Sequence, residues 1–228
     1  MRWLPEGEER TGEGAPYPIA AVLPAIAAMR QVNRGFEALA LSADGRRLTL
    51  AFQSPLAHPD VTTHAAARHV RLIEIDTETA AVLGQWAYRL EEPAQFRRDL
   101  ATAELKQSDV KLSEMTRLDG DRLLVLERGS YSTKLYVVRL DPARRLPGEH
   151  LRPETRPTLE ELSAADDFPL PQLDKQLLFD TDAHPEISKD LEGMTLLDER
   201  TLLLVNDNDF GIEGAETTFW RIEFGTAI

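Results

Sequence analysis

The sequence predicts an all-β protein: a β-propeller of four-stranded antiparallel blades, with about three blades present as a partial ring. Three observations lead there. A hairpin motif occurs three times, as RGFEALALSADGRRLTLAFQSP (34–55), KLSEMTRLDGDRLLVLERGS (111–130) and KDLEGMTLLDERTLLLVNDNDFG (189–211). Its glutamates, Glu37, Glu114 and Glu192, recur 77 and 78 residues apart. The second strand of each hairpin (LTLAF, LLVLE, LLLVN) is a nearly continuous apolar run, the pattern of a strand buried on both faces.

Residues 1–31 read as the remnant of a preceding blade, with a short apolar helix over 18–30 (PIAAVLPAIAAMR). Residues 32–228 form the propeller domain, with blades at about 32–90, 111–180 and 189–228. Asp44-Gly45 and Asp119-Gly120 mark two hairpin turns. Asp198-Glu199-Arg200 fills that place in the third unit without glycine, which predicts a different turn. Further strands follow at 70–76, 81–90, 134–140, 175–180 and 217–224, so the last blade lacks an outer strand. The segments 93–110 and 158–166 can each hold a short helix, and the charged stretch 141–171, with six prolines, reads as a surface loop. Trp86, Tyr88, Tyr136, Phe179, Phe219 and Trp220 are expected to pack between blades.

A closed propeller needs about 4–8 blades. Three would leave two raw sheet faces, so either preceding blades complete the ring or two copies pair to close it.

Charge narrows the function. Acidic residues number 39 against 26 basic ones, a net charge of -13, which disfavours nucleic-acid phosphates as partners. The chain has no cysteine, which removes disulfides, thiolate metal sites and cysteine nucleophiles. The longest apolar stretch, Ile19 to Met29, is too short to span a membrane and contains Pro24. The first ten residues lack the apolar core of a signal peptide.

The stretches NRGFEALALSADGRRLTLAFQSPL, LSEMTRLDGDRLLVLERGS and LEGMTLLDERTLLLVNDNDFG resemble the "esterase-like activity of phytase" family, over roughly Val32 to Phe224. The resemblance implies a β-propeller, export to the periplasm or beyond, and a phosphoesterase- or esterase-type activity. Members of the family usually carry further blades ahead of the NRGFE motif.

Each repeated glutamate follows a base by three residues: Arg34 and Glu37, Lys111 and Glu114, Lys189 and Glu192. Around one propeller axis, such pairs suit a phosphate site. Glu37, Glu114 and Glu192 are the candidate catalytic groups, and Arg34, Lys111, Lys189 and Arg128 the substrate-binding ones. Asp207, Asn208 and Asp209 in the NDND turn, with Glu127, are candidate ligands of Ca²⁺, a hard cation that prefers oxygen. A bound calcium would polarise the phosphoryl group and activate a water. The same glutamates could instead hold blades in register, and the NDND turn could satisfy its own backbone. His58, His64 and His69 read as surface-loop histidines, while His184 is a weak site candidate. No GxSxG elbow or P-loop is present.

The expected function is thus a calcium-dependent phosphoric ester hydrolase acting on a small phosphate ester or other anionic ligand. The alternatives are a non-catalytic propeller that binds a ligand or a partner protein, and a calcium-dependent lactonase.

Overall fold

The computed structural model describes residues 9–11, 18–20, 22–165 and 167–228. Strands β1 (Glu9–Thr11) and β2 (Pro18–Ala20) form a two-stranded antiparallel pair. Three larger antiparallel sheets follow in chain order. The first is a meander of β3 (Phe36–Leu41), β4 (Arg47–Phe52), β5 (His69–Asp76) and β6 (Val82–Arg89). The second is a meander of β7 (Lys111–Arg117), β8 (Arg122–Arg128), β9 (Thr133–Arg139) and β10 (Lys175–Asp180). The third has three strands, β11 (Leu191–Asp198), β12 (Thr201–Asn206) and β13 (Phe219–Glu223). The leading strands lie side by side: β7 packs against β3 on one flank and against β11 on the other.

Turn chemistry differs as the sequence indicates. After β3, Asp44 accepts the Ser42 hydroxyl at 2.6 Å and the Arg46 amide at 3.1 Å, while Gly45 takes φ of 72°. That left-handed backbone is open to glycine at little steric cost. The β11–β12 turn has only Glu199 and Arg200 between its strands, and Asp198 accepts the Arg200 amide at 2.8 Å. The aspartate thus plays the same part in the first and third turns, and the third does without a left-handed residue.

Two of the second strands, β4 and β8, are buried on both faces, while β12 is covered on one, with Leu203 and Val205 half-buried. Along β8, Leu123 and Val125 join a core shared with the first sheet, while Leu124 and Leu126 join a second core shared with the third. Each such side chain contributes about 1.5–3 kcal/mol on burial. Trp86 and Tyr88 lie in the first core and Trp220 against the second, but Phe219 is 63 % exposed, contrary to expectation.

The proline-rich stretch 141–171 is not a free surface loop. Short 3₁₀ turns and helix α3 (Leu159–Ser163) lay it over the outward face of the first sheet, where Leu146 and Leu159 pack on Ala87. The amides of Leu146 and Leu173 donate to the Gln85 and Ala87 carbonyls at 2.9 Å each, pairing the free edge of β6. Arg71 on β5 forks onto Glu160 of α3 through two bonds of 2.9 Å, with both side chains fully buried. Charge pairing across strands hides a segment whose composition alone looks solvated.

The same packing buries the three histidines that read as surface residues. His58 Nε2 meets the Pro153 carbonyl and His64 Nδ1 the Pro55 carbonyl, each at 2.8 Å. His69 sits between Ser163 Oγ and Gln172 Oε1, again at 2.8 Å, and stacks on Phe168. Helix α1 (Val61–Ala66), capped by Asp60 on the Thr63 amide, was not foreseen; the short helix α2 (Arg97–Leu100) falls in the segment expected to hold one. Over 18–30 the chain is strand β2 followed by a 3₁₀ turn at Ala25–Met29 rather than a helix.

One expected raw face is therefore largely sealed. Among the described residues, Leu39 and Leu41 on β3 remain exposed there, at 59 % and 53 %. The third sheet keeps an open face, with Leu197 and Phe219 exposed.

Candidate functional site

The three leading strands share a defect at the same end. Each pairs with its neighbour through a register shift: at Phe36/Ala38 in β3, Leu112/Glu114 in β7 and Leu191/Gly193 in β11. A bulge of this kind leaves one residue out of the ladder and re-aims its side chain. The displaced residues are Glu37, Ser113 and Glu192. Glu114 is thus not the geometric counterpart of the other two glutamates. It sits one position later, in the regular ladder opposite Leu126. The glutamate spacing concealed this one-residue slip.

The residue closing each second strand completes the unit. Gln53 hydrogen-bonds Glu37. Arg128 Nε donates to Ser113 Oγ at 3.0 Å, and its other nitrogens reach the Gly129 carbonyl at 2.8 Å, Asp190 at 3.0 Å and the Glu192 carboxylate. The Asp207 amide donates to the Asp190 carbonyl at 2.9 Å. Backbone bonds tie the units together: Leu112 N–H to the Gln53 carbonyl at 2.9 Å, and Asp190 N–H to the Ser130 carbonyl at 2.8 Å.

Arg34, Lys111 and Arg128 form the cationic part of this cluster. Burial is the largest influence on each and depresses all three; Lys111 also feels Arg128 and Arg34. Arg34 Nη1 is buried with no hydrogen-bond partner, and Lys111 makes no direct ion pair, among the described residues. Arg128, by contrast, is fully engaged. Glu37, Asp109 and Asp190 offset part of the charge of Arg34 and Lys111, but both cations keep donor capacity that an anion can use.

The carboxylates divide by role. Burial raises Glu37, against the pull of Arg128, Lys111 and Arg34. Burial also raises Glu114, with further help from the charge of Glu37. Glu192 and Asp190 are spent on Arg128. Lys189 is more than half exposed, 3.6 Å from Asp190 and over the Tyr131 ring, so it stands outside the cluster.

The four candidate metal ligands do not converge. Glu127 is fully buried between the first and second sheets. There it accepts from Tyr88 at 2.7 Å, Lys175 at 2.8 Å and the Glu91 amide. Asp207 accepts the Asp209 amide at 3.0 Å, as an Asx turn does. Among the described residues no three His, Asp or Glu side chains are grouped so as to hold a metal ion. His184 caps a 3₁₀ turn and stacks on Phe179. Sequence reasoning did not single out Ser113 or Asp190. The available signal was their place inside the repeated motifs, one and two residues before the repeated glutamates.

Among the described residues no helix is long and apolar enough to cross a membrane. Compared with known families, residues 6–210 match the model described as phytase-like, "Esterase-like activity of phytase". No curated protein matches the chain.

Proposed function

The chain belongs to the "esterase-like activity of phytase" family, and from that premise we propose that it is a β-propeller protein whose Arg34–Lys111–Arg128 cluster binds and hydrolyses a phosphate ester. The observation that carries this reading is the free donor capacity of Arg34 and Lys111 beside the fixed Arg128. The side-by-side leading strands support the propeller, and the open face of the third sheet is where a further sheet or second copy would continue it. The family also suggests export to the periplasm or beyond.

In this proposal Arg34 and Lys111 take the phosphate oxygens, while Arg128 supplies charge from a fixed position. Glu37, raised by burial, keeps a proton more readily than an ordinary carboxyl and donates it to the leaving oxygen. Glu114 accepts a proton from the attacking water. Glu192 is a positioning residue that holds Arg128.

Calcium fits this site only in part. Once ionised, Glu37 repels the Glu114 carboxylate, and a divalent cation between them would relieve that repulsion in place of the proton that Glu37 otherwise carries. When bound, it would polarise the phosphoryl group. The protein supplies two such carboxylates rather than a full ligand set.

A second reading, ligand binding without turnover, draws on the bonds that spend Arg128 on the scaffold. Hydrolysis of p-nitrophenyl phosphate and inositol hexakisphosphate, with calcium and with a chelator, tests the proposal. Turnover lost in Lys111→Ala and Glu37→Gln is the expected result. Phosphate binding without turnover of any ester moves the assignment to the second reading. Failure to bind phosphate overturns both.

A further inference from the structure

Phe210 stands 99 % exposed on a loop rooted in the candidate site. The root is short. Asp207 bonds the Asp190 carbonyl at 2.9 Å, and the Asp190 carboxylate accepts from Arg128 at 3.0 Å. Asn206 staples the loop at both ends. Its carboxamide donates to the carbonyls of Asp207 and Glu216 at 2.9 and 3.0 Å and accepts the Thr218 amide at 2.6 Å.

Within that staple the backbone is left-handed at three successive residues, with φ of 47° at Asp209, 58° at Phe210 and 74° at Gly211. For glycine this is ordinary. For a bulky aromatic it is unfavourable, because Cβ crowds the following carbonyl. The side chain so displayed also gains nothing from burial. Both local terms oppose the conformation, which is held between the residues that Asn206 bonds. Such conformations cluster at ligand clamps, where the surroundings over-determine them.

We propose that Phe210 sets the substrate class of the site by laying its ring on the ligand held at Arg34, Lys111 and Arg128. The preferred ligand is then a phosphomonoester with an aromatic ring or flat apolar group close to the phosphate. A densely phosphorylated polyol offers the cations much but the ring little. This inference rests on the anion-binding reading above and deepens it. A ring pair of this kind is worth about three- to tenfold in affinity.

Calorimetric titration of the full chain with inorganic phosphate, glycerol 2-phosphate and phenyl phosphate tests it. Phenyl phosphate is expected to bind the wild type about three- to tenfold tighter than glycerol 2-phosphate. Phe210→Ala should erase that preference and Phe210→Trp should keep it. Equal binding of the two esters by the wild type, or a preference that survives in Phe210→Ala, overturns the inference while leaving the anion site standing. A wild type that does not bind even inorganic phosphate overturns both.

Discussion

Asp190 and Arg128 join two sheets through both halves of one aspartate. The Asp190 carboxylate accepts from Arg128 at 3.0 Å, while its backbone N–H bonds the Ser130 carbonyl at 2.8 Å. The guanidinium is thereby fixed by side chain and main chain together. Lys111, paired opposite Arg128 in the β7–β8 ladder, has no such anchor among the described residues.

This contrast separates stability from binding. Arg128→Ala leaves Asp190 and Glu192 without their shared cation and should destabilise the protein by about 2–4 kcal/mol in urea unfolding. Lys111→Ala should leave the unfolding midpoint almost unchanged and weaken phosphate binding about tenfold or more.

Anion binding should take up protons in alkaline solution. Burial and the neighbouring Arg128 and Arg34 lower Lys111, so part of it is neutral at a pH where an ordinary lysine is charged. A bound phosphate favours the charged form and draws a proton back. Titrations in buffers of different ionisation enthalpy should show this uptake in the wild type and not in Lys111→Ala.

Glu114→Gln should stabilise the fold at neutral pH. A carboxyl raised in the folded state contributes most below its unfolded value, and that contribution is lost as pH rises through the folded value. Removing it should raise the melting temperature by about 1–2 °C at pH 7, after allowance for solvent screening. Near pH 4 the gain should vanish. Thermal melts at the two pH values decide this.

His69 predicts the acid limb of stability. Burial lowers it from 6.5 to about 4, so it stays neutral in the fold while the unfolded chain takes up a proton. Its contribution is whole above pH 6.5 and is lost as pH falls toward 4, by about 2–3 kcal/mol. His69→Gln should flatten that part of the stability profile.

Glu160→Ala should be the costliest of these substitutions. It strands the fully buried Arg71 guanidinium, at about 3–5 kcal/mol. Loss of protease resistance across residues 141–171, together with a lowered melting temperature, would confirm that this stretch belongs to the core. An unchanged melting temperature would refute it.

The hairpins were legible in the sequence because strand burial is written locally, in runs such as LLVLE. The end of the sheets carrying the site was legible because each motif places its charged residues at a strand terminus. The slip of Glu114 was not. A bulge is set by pairing between strands, and a glutamate one position away satisfies the same local pattern. Arg71, Glu160, His58 and His69 escaped for a related reason. Polar side chains that find partners 89 to 103 residues away look, in isolation, like solvated ones.

The sealed first sheet and the open third sheet give the molecule a polarity. If copies associate, a head-to-tail array needs each copy to offer two receptive faces, and the described residues offer a single broad one. Association through the third sheet therefore ends at a pair related by a two-fold axis. The packed proline-rich cover would then act as a chain terminator against the filament that a stack of bare sheets can nucleate.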